Sequence, residues 1–494
     1  MKLHAAQCGM RYNFGNSLLV VRRELARKIQ VRGSHTTSKV VMAPNRPNEL
    51  VNDSINDPIV DYDHFINDFS KRREPSVIRE LNKLYSQKSD SISFAGGLPH
   101  PLTFPFQELS VRLTDGTNIS LEGKPLQDSL QYIPSQGYPP LLEKLRKLQW
   151  KVHSPPQWEN TDILITSGSQ DGLCRCIEMC LEEGEPIIVQ HPVYSGTESL
   201  LKPFKANIIT VEQDENGLRP DLLRYELQSR YTPEETFSKK RGIPKLLYVN
   251  TTGANPTGVA LSTERKKEIY RIVCEYNLII LEDDPYYYLH FQDKYPTSFL
   301  SLDTEGRVLR FDSFSKIISP GIRVGFVTGP KQLIKRIELH LQASSLHAAA
   351  LSQVLIDKIM DNWGFDGLFK HFDFIQKFYK TKRDALIKSA EKHLTGLAEW
   401  NVPTAGMFLW IKVKGVPDTY NLVTKECLNQ GVLFVSGHAY TVKYGEPCPY
   451  LRACYTLPTI QQMDVGMERL AEAIRQEQKR SKHLASAEIE RMRQ

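Results

Sequence analysis
From Asp162 to Glu282 the chain alternates short apolar runs with amphipathic stretches, and that rhythm restricts the fold more than any other feature. Asp162-Ile163-Leu164-Ile165-Thr166 reads as a strand and Gln170–Leu181 as a helix. Pro186–Gln190, Asn207–Val211, Lys245–Asn250 and Leu278–Glu282 repeat the strand pattern, with helical Ser195–Leu201 and Ser262–Tyr276 between them. Strands separated by helices predict a parallel or mostly parallel sheet covered on both faces. Ligands of such sheets bind outside the carboxyl ends of the strands. Lys331–Met360 and Phe365–Leu394 read as long helices. Beyond them, strands at Met407–Val413, Val432–Ser436 and Tyr450–Tyr455, with helices at Tyr420–Asn429 and from Thr459, make a smaller α+β unit.

Between the two units, Val308-Leu309-Arg310-Phe311 and Arg323-Val324-Gly325-Phe326-Val327 read as strands flanking a turn that holds Lys316 among Ser313, Ser315 and Ser319. Hydroxyls donate to anions, and the planar fork of Arg323 suits bidentate binding of phosphate. Lysine is most often a solvated surface cation; beside a phosphate site, Lys316 points instead to pyridoxal phosphate. Ser167-Gly168-Ser169-Gln170 lies where a strand gives way to a helix, and its N–H groups and hydroxyls can hold a phosphate there or serve as an ordinary cap. Three acids, Glu282-Asp283-Asp284, end the apolar run Leu278–Leu281.

Those residues carry a resemblance. Ser313–Lys316 reads SFSK, and Arg323 follows the lysine by seven positions. With SFAGGLP (Ser93–Pro99), TSGSQ (Thr166–Gln170), NPTG (Asn255–Gly258), EDDPYYYL (Glu282–Leu289) and PYLRA (Pro449–Ala453), the chain resembles class I, fold-type I aminotransferases from about Tyr62 to Ala471. Each motif alone is weak, NPTG being only a turn signal; their order and spacing carry the likeness. It implies an α/β fold-type I transferase with a mostly parallel seven-stranded sheet in a large domain (101–360) and a smaller α+β domain (361–475). An arm at 62–100 would serve the small domain and the active site.

The resemblance also implies roles. Lys316 would bond to the cofactor and shuttle the proton at the substrate's Cα, and Asp283, with Asp284 as the alternative, would keep the pyridine nitrogen protonated. Tyr286 and Asn255 would bond the phenolic oxygen, Tyr194 would stack on the ring, and Ser169, Gln170, Ser313, Ser315 and Arg323 would hold the phosphate. Arg452 would grip the substrate carboxylate. Asn255, Gly97, Leu98 and Arg79 would also meet substrate, Arg79 through its side chain. Tyr132 would reach the phosphate in a neighbouring subunit, implying a homodimer with shared sites. The expected reaction is ping-pong exchange between kynurenine, 2-aminoadipate or related amino acids and 2-oxoglutarate. An aromatic amino acid aminotransferase of the same fold is the alternative, and β-lyase action on cysteine conjugates would use the same residues. His191 stands where the family carries an acidic residue, a departure that changes the polarity beside Tyr194.

Charge locates a separate segment. Residues 1–41 hold eight Lys and Arg against one acid, Glu24, whereas the whole chain of 494 residues has a net charge of only +6. The basic balance therefore belongs to the leader and gives no reason to expect nucleic acid as a partner. An Arg-rich, acid-poor start interleaved with Leu18, Leu19, Val20, Val21, Leu25 and Ile29 has transit character and predicts the mitochondrial matrix; a disordered basic tail is the alternative. Translation from Met42 would give a cytosolic form. A linker is expected at 42–61 and a charged tail at 476–494. The first sixty residues lack a helix-turn-helix pattern, which argues against a ligand-sensing regulator built on the same fold. No run approaches eighteen apolar residues, so no membrane span is expected. The eight cysteines form no C-x-x-C pair, and Cys174, Cys176 and Cys180 are expected to be buried thiols rather than metal ligands.

Overall fold
The computed structural model describes residues 60–80, 94, 97–442 and 445–493, with side chains to 483. The leader, Met42, most of the linker and residues 81–93, 95 and 96 of the expected arm lie outside the described residues. An outlying hairpin pairs β1 (Leu109–Arg112) with β2 (Asn118–Leu121). The main sheet is built from β3 (Thr161–Thr166), β4 (Pro186–His191), β5 (Asn207–Asp214), β6 (Gly217–Leu218), β7 (Leu246–Asn250), β8 (Ile279–Asp283), β9 (Val308–Ser313) and β10 (Gly325–Pro330). Its spatial order is β3-β10-β9-β8-β7-β4-β5-β6.

Five neighbouring strands, β5, β4, β7, β8 and β9, run parallel. β10 lies antiparallel between β9 and β3, because the turn carrying Lys316 is too short for a crossover back to a parallel strand. The seven expected strands gain an eighth, the two-residue β6, which folds back on β5 after a tight turn. Arg323 and Val324, expected in β10, belong to the turn instead; Arg323 takes the left-handed region at φ 54°.

Successive residues of each central strand enter opposite cores, as the period of two requires. Leu246, Tyr248, Ile279 and Leu281 join one core with Leu173, Cys176, Ile177 and Cys180 of helix Ser169–Cys180 and with Leu333 and Ile337 of helix Lys331–Ser344. Leu247, Val249 and Ile280 join the other, against Leu223 and Leu227 of helix Pro220–Gln228 and Ile269 and Val273 of helix Thr263–Glu275. The expected helix over 331–360 is broken: it stops at Ser344, Leu346 turns left-handed at φ 65°, and helix begins again at Ala350. Residues 62–66, the start of the arm expected to serve the small domain, lie instead on the large sheet, where Phe65 and Ile66 join the first core and Tyr62 Oη donates to Gly306 O at 2.8 Å. The expected tail continues the helix Ile460–Arg493. No helix among the described residues is long and apolar enough to cross a membrane.

The smaller sheet, in the order β11-β12-β14-β13, is wholly antiparallel and has its own core. Its strands are β11 (Ala398–Trp400), β12 (Phe408–Val413), β13 (Val435–Ser436) and β14 (Tyr450–Cys454). The link between the two sheets is made of backbone. Gly406 N–H donates to Leu289 O at 2.9 Å, Phe291 N–H to Thr404 O at 2.9 Å and Thr404 N–H to Gly258 O at 3.2 Å. Gly253 and Gly406, both at positive φ, face each other so closely that a Cβ on Gly406 would stand 2.6 Å from the Gly253 carbonyl oxygen. Gly406→Ala is therefore expected to cost about 2 kcal/mol or more in urea unfolding. Gly415→Ala, also at positive φ but meeting only the Gln478 side chain at an ordinary 3.7 Å, should cost less; equal losses would mean that the contact with Gly253 contributes nothing.

Candidate active site
Every parallel strand named above except β5 delivers a polar residue to the same edge, as an open α/β sheet requires. Ser169 and Gln170 follow β3, Tyr194 follows β4, Asn250 ends β7 ahead of Asn255, Asp283 ends β8 ahead of Tyr286, and Ser313 ends β9 ahead of Ser315 and Lys316. Antiparallel β10 reaches the same edge with its start, which is where Arg323 sits. All of these residues line one cavity of about 360 Å³ with Pro285, Pro320, Phe408 and Arg452, the last two contributed by the small sheet.

At one end lies an anion cup. Arg323 donates from Nη1 to Ser315 Oγ at 3.1 Å and from Nη2 to Ser167 O at 2.9 Å. Ser169 opens a helix whose first N–H groups carry partial positive charge. Gly168 precedes it at φ 87°, and a Cβ there would overlap the Arg323 guanidinium. Only glycine lets the cup close.

Asp283 is buried with its carboxyl pushed up to about 7 by burial, against a hydrogen bond from Tyr248 Oη at 2.8 Å that favours the charge. Asn250 Nδ2 donates to Asp283 O at 2.6 Å, and Asn250 Oδ1 accepts from Asn255 N–H at 2.7 Å, so one amide ties the NPTG loop to the end of β8. Asp284 points away from the cavity, accepting from Thr251, Thr252 and Arg310 at 2.8, 3.0 and 3.2 Å. Between the two aspartates, the geometry selects Asp283 as the one that lines the cavity.

Lys316 Nζ stands 5.9 Å from the centre of the Tyr286 ring. Burial, with Arg323 and Arg452 nearby, lowers its pKa and favours the neutral amine. Burial likewise raises the Tyr194 and Tyr286 phenols, keeping both as donors. Arg452 donates from Nη1 to Asn255 Oδ1 at 2.8 Å and lies over the Phe408 and Tyr440 rings at 4.3 and 5.3 Å. Its Nε is buried without a partner. An unpaired donor beside a lysine is what an incoming carboxylate would satisfy.

Four expected residues are not brought into the cavity. Arg79 Nη1 donates to Ile133 O at 2.9 Å, the exposed Tyr132 packs edge-on against His347, and Gly97 and Leu98 are exposed. His191 Nδ1 meets Glu212 Oε1 at 2.9 Å across β4 and β5, beside the cavity rather than in it. Tyr248, Asn250, Phe408 and Tyr440 were not singled out by the sequence. Asn250 could have been, as a polar residue ending an apolar strand; the aromatic residues look like ordinary strand and core residues. Cys176 and Cys180 are packed in the core, and Cys174 is half-buried.

A sheet of this order, with a lysine at the corner after β9 and a phosphate-sized cup beside it, defines the fold-type I group of α/β transferases. The chain belongs to the family described as aminotransferase class I and II, matched over residues 124–470. It is 42% identical over 424 residues to the mitochondrial kynurenine/alpha-aminoadipate aminotransferase of Bos taurus, covering 84% of this chain and 100% of that one. Among solved structures it resembles aminotransferase Aro8 of Candida albicans (TM-score 0.75, 27% identity, 85% of this chain and 98% of that one). It also resembles the Pyrococcus horikoshii kynurenine aminotransferase in complex with PMP (TM-score 0.66, 30% identity, 84% and 98%).

The raised carboxyl has a consequence for stability. In the cofactor-free protein the folded chain holds the Asp283 proton up to about pH 7, whereas the unfolded chain releases it near the ordinary value of 3.8. Stability is therefore lost as pH rises through that window and the loss is complete above it. The stability of Asp283→Asn relative to wild type should rise by about 3–4 kcal/mol between pH 4 and 7 in denaturant titrations. A pH-independent difference would mean that Asp283 is ionised throughout.

Proposed function
We propose that this aminotransferase uses pyridoxal phosphate to exchange the amino group of kynurenine, 2-aminoadipate and related amino acids with 2-oxoglutarate. The observation that carries the reading is the single cavity in which the amine of Lys316 lies between an anion cup and an arginine with an unfilled donor. The Bos taurus relative's name supports the donors, and the PMP in the Pyrococcus horikoshii complex supports the cofactor.

The residues present fit that cofactor. Ser169, Gln170, Ser313, Ser315 and Arg323 would hold its phosphate, Tyr194 would pack on its ring, Asp283 would meet the ring nitrogen, and Tyr286 and Asn255 would donate to its phenolic oxygen. When bound, pyridoxal phosphate supplies an aldehyde that bonds reversibly to amines and a ring that delocalises the electron pair left at the substrate's Cα. Arg452 binds the α-carboxylate and so orients the Cα–H bond. Lys316, whose amine burial shifts toward the neutral form, takes the Cα proton and returns one on the far side of the exchange. The two half-reactions share one site, hence ping-pong kinetics.

The segment with Tyr132, Arg79, Gly97 and Leu98 lies apart from the cavity and exposes Leu98, Leu102, Phe106 and Tyr132. A second copy docked there would bring Tyr132 to its neighbour's phosphate cup, so the working unit is a homodimer with shared sites. The basic leader and the mitochondrial relatives support delivery to the mitochondrial matrix.

Protein loaded with pyridoxal phosphate should lose its long-wavelength absorbance on adding kynurenine or 2-aminoadipate alone and regain it with 2-oxoglutarate. Response only to phenylalanine, tyrosine or tryptophan would move the assignment to an aromatic amino acid aminotransferase. Lys316→Ala should abolish turnover, and retained turnover would remove the lysine from the mechanism. Arg452→Ala should raise KM for every amino acid by about 10–100-fold, whereas Arg79→Ala should discriminate among them by side chain. A uniform effect of Arg79→Ala would exclude its contact with the substrate side chain.

A further inference from the structure
Behind Asp283, on the side away from the cavity, lies a short polar chain that the mechanism above does not use. Tyr248 sits in the middle of β7 with its ring 1% exposed, and its hydroxyl reaches across to β8, donating to Asp283 Oδ2 at 2.8 Å. Among the described residues no other side chain donates to this carboxylate. Thr197, on the helix that starts one residue after Tyr194, places a wholly buried hydroxyl beside the Tyr248 oxygen. Among the described residues that hydroxyl makes no hydrogen bond of ordinary geometry. The rest of the Tyr248 side chain is held among apolar neighbours of the first core.

A buried carboxylate with one donor behind it and a cavity before it is fixed in rotation and shared between two environments. We infer that Tyr248 is a positioning residue for Asp283: its hydroxyl pins Oδ2 and leaves Oδ1 to the cavity, where it can meet a protonated ring nitrogen. Thr197, on the helix whose cap is Tyr194, stands beside that hydroxyl and favours its polar setting. The inference rests on the assignment of Asp283 to the ring nitrogen, while the contact between Tyr248 and Asp283 stands without any cofactor.

Tyr248→Phe keeps the ring and removes only the donor. Difference infrared spectroscopy of the cofactor-free protein, with the Asp283 band identified by its disappearance in Asp283→Asn, should show that carboxyl ionising about one pH unit higher in Tyr248→Phe, and by less in Thr197→Val. Equilibrium dialysis with pyridoxal phosphate should show affinity about fivefold weaker at pH 7, the gap closing at higher pH where Asp283 is charged in both proteins. In the Asp283→Asn background, Tyr248→Phe should change nothing further. An unmoved carboxyl band in both Tyr248→Phe and Thr197→Val, or an equal loss of affinity with Asp283 replaced, would reduce Tyr248 to a packing residue. If Asp283→Asn bound pyridoxal phosphate as tightly as wild type at every pH, the assignment of Asp283 would fail, and the infrared result would still decide whether Tyr248 sets its ionisation. Thr197→Val, which leaves the tyrosine ring undisturbed, serves if Tyr248→Phe does not fold.

Discussion
Arg310 holds the acidic corner of the site together. It lies in the middle of β9, fully buried, and its guanidinium meets Glu282, Asp284 and Asp312 at 3.1, 3.2 and 3.0 Å while stacking 4.6 Å from the centre of the Tyr287 ring. Glu282 also accepts from the N–H groups of Phe299 and Leu300, and Asp284 from two threonines. Three carboxylates left in that interior without a cation would each cost several kcal/mol. β8 and β9 are therefore locked in one register, with Glu282 opposite Arg310. Six residues after Arg310 the chain reaches Lys316, so the pairing that neutralises the interior also decides where the lysine leaves the sheet.

The same burial shifts the two groups closest to the chemistry in opposite directions. It raises the acid at Asp283 and lowers the base at Lys316, because in each case the charged form is the one disfavoured. An amine shifted toward its neutral form accepts a proton more readily at neutral pH than an exposed lysine would. Side-chain contacts then correct what burial overdoes: Tyr248 favours charge on Asp283, and Arg310 favours it on Asp284 and Asp312.

Much of this was legible in the sequence because it is local. The alternation from Asp162 to Glu282 marks the strands and helices of the large sheet, and the serine-rich turn marks Lys316, since both signals lie within a few residues. The antiparallel course of β10 was not drawn from the sequence although the short turn after β9 implies it, and the left-handed turn at Arg323 was missed because Arg323 bonds to Ser167, about 160 residues away in sequence. Arg310 reads as an ordinary strand residue until Glu282 and Asp284 are brought beside it. Tyr248 and Phe408 carry no polar or spacing signal separating a site aromatic from a core aromatic. Arg79, Tyr132, Gly97 and Leu98 were named by resemblance alone, and the single chain does not gather them into the cavity.

Gly253 and Gly406 set a datum between the two halves of the molecule. The two sheets touch there through main-chain atoms, and the bond from Arg452 to Asn255 adds a side-chain tie across the same gap. A close approach of two glycine backbones leaves no side chain to shorten or lengthen at that point, so the two halves meet there at a separation that a substitution can only widen.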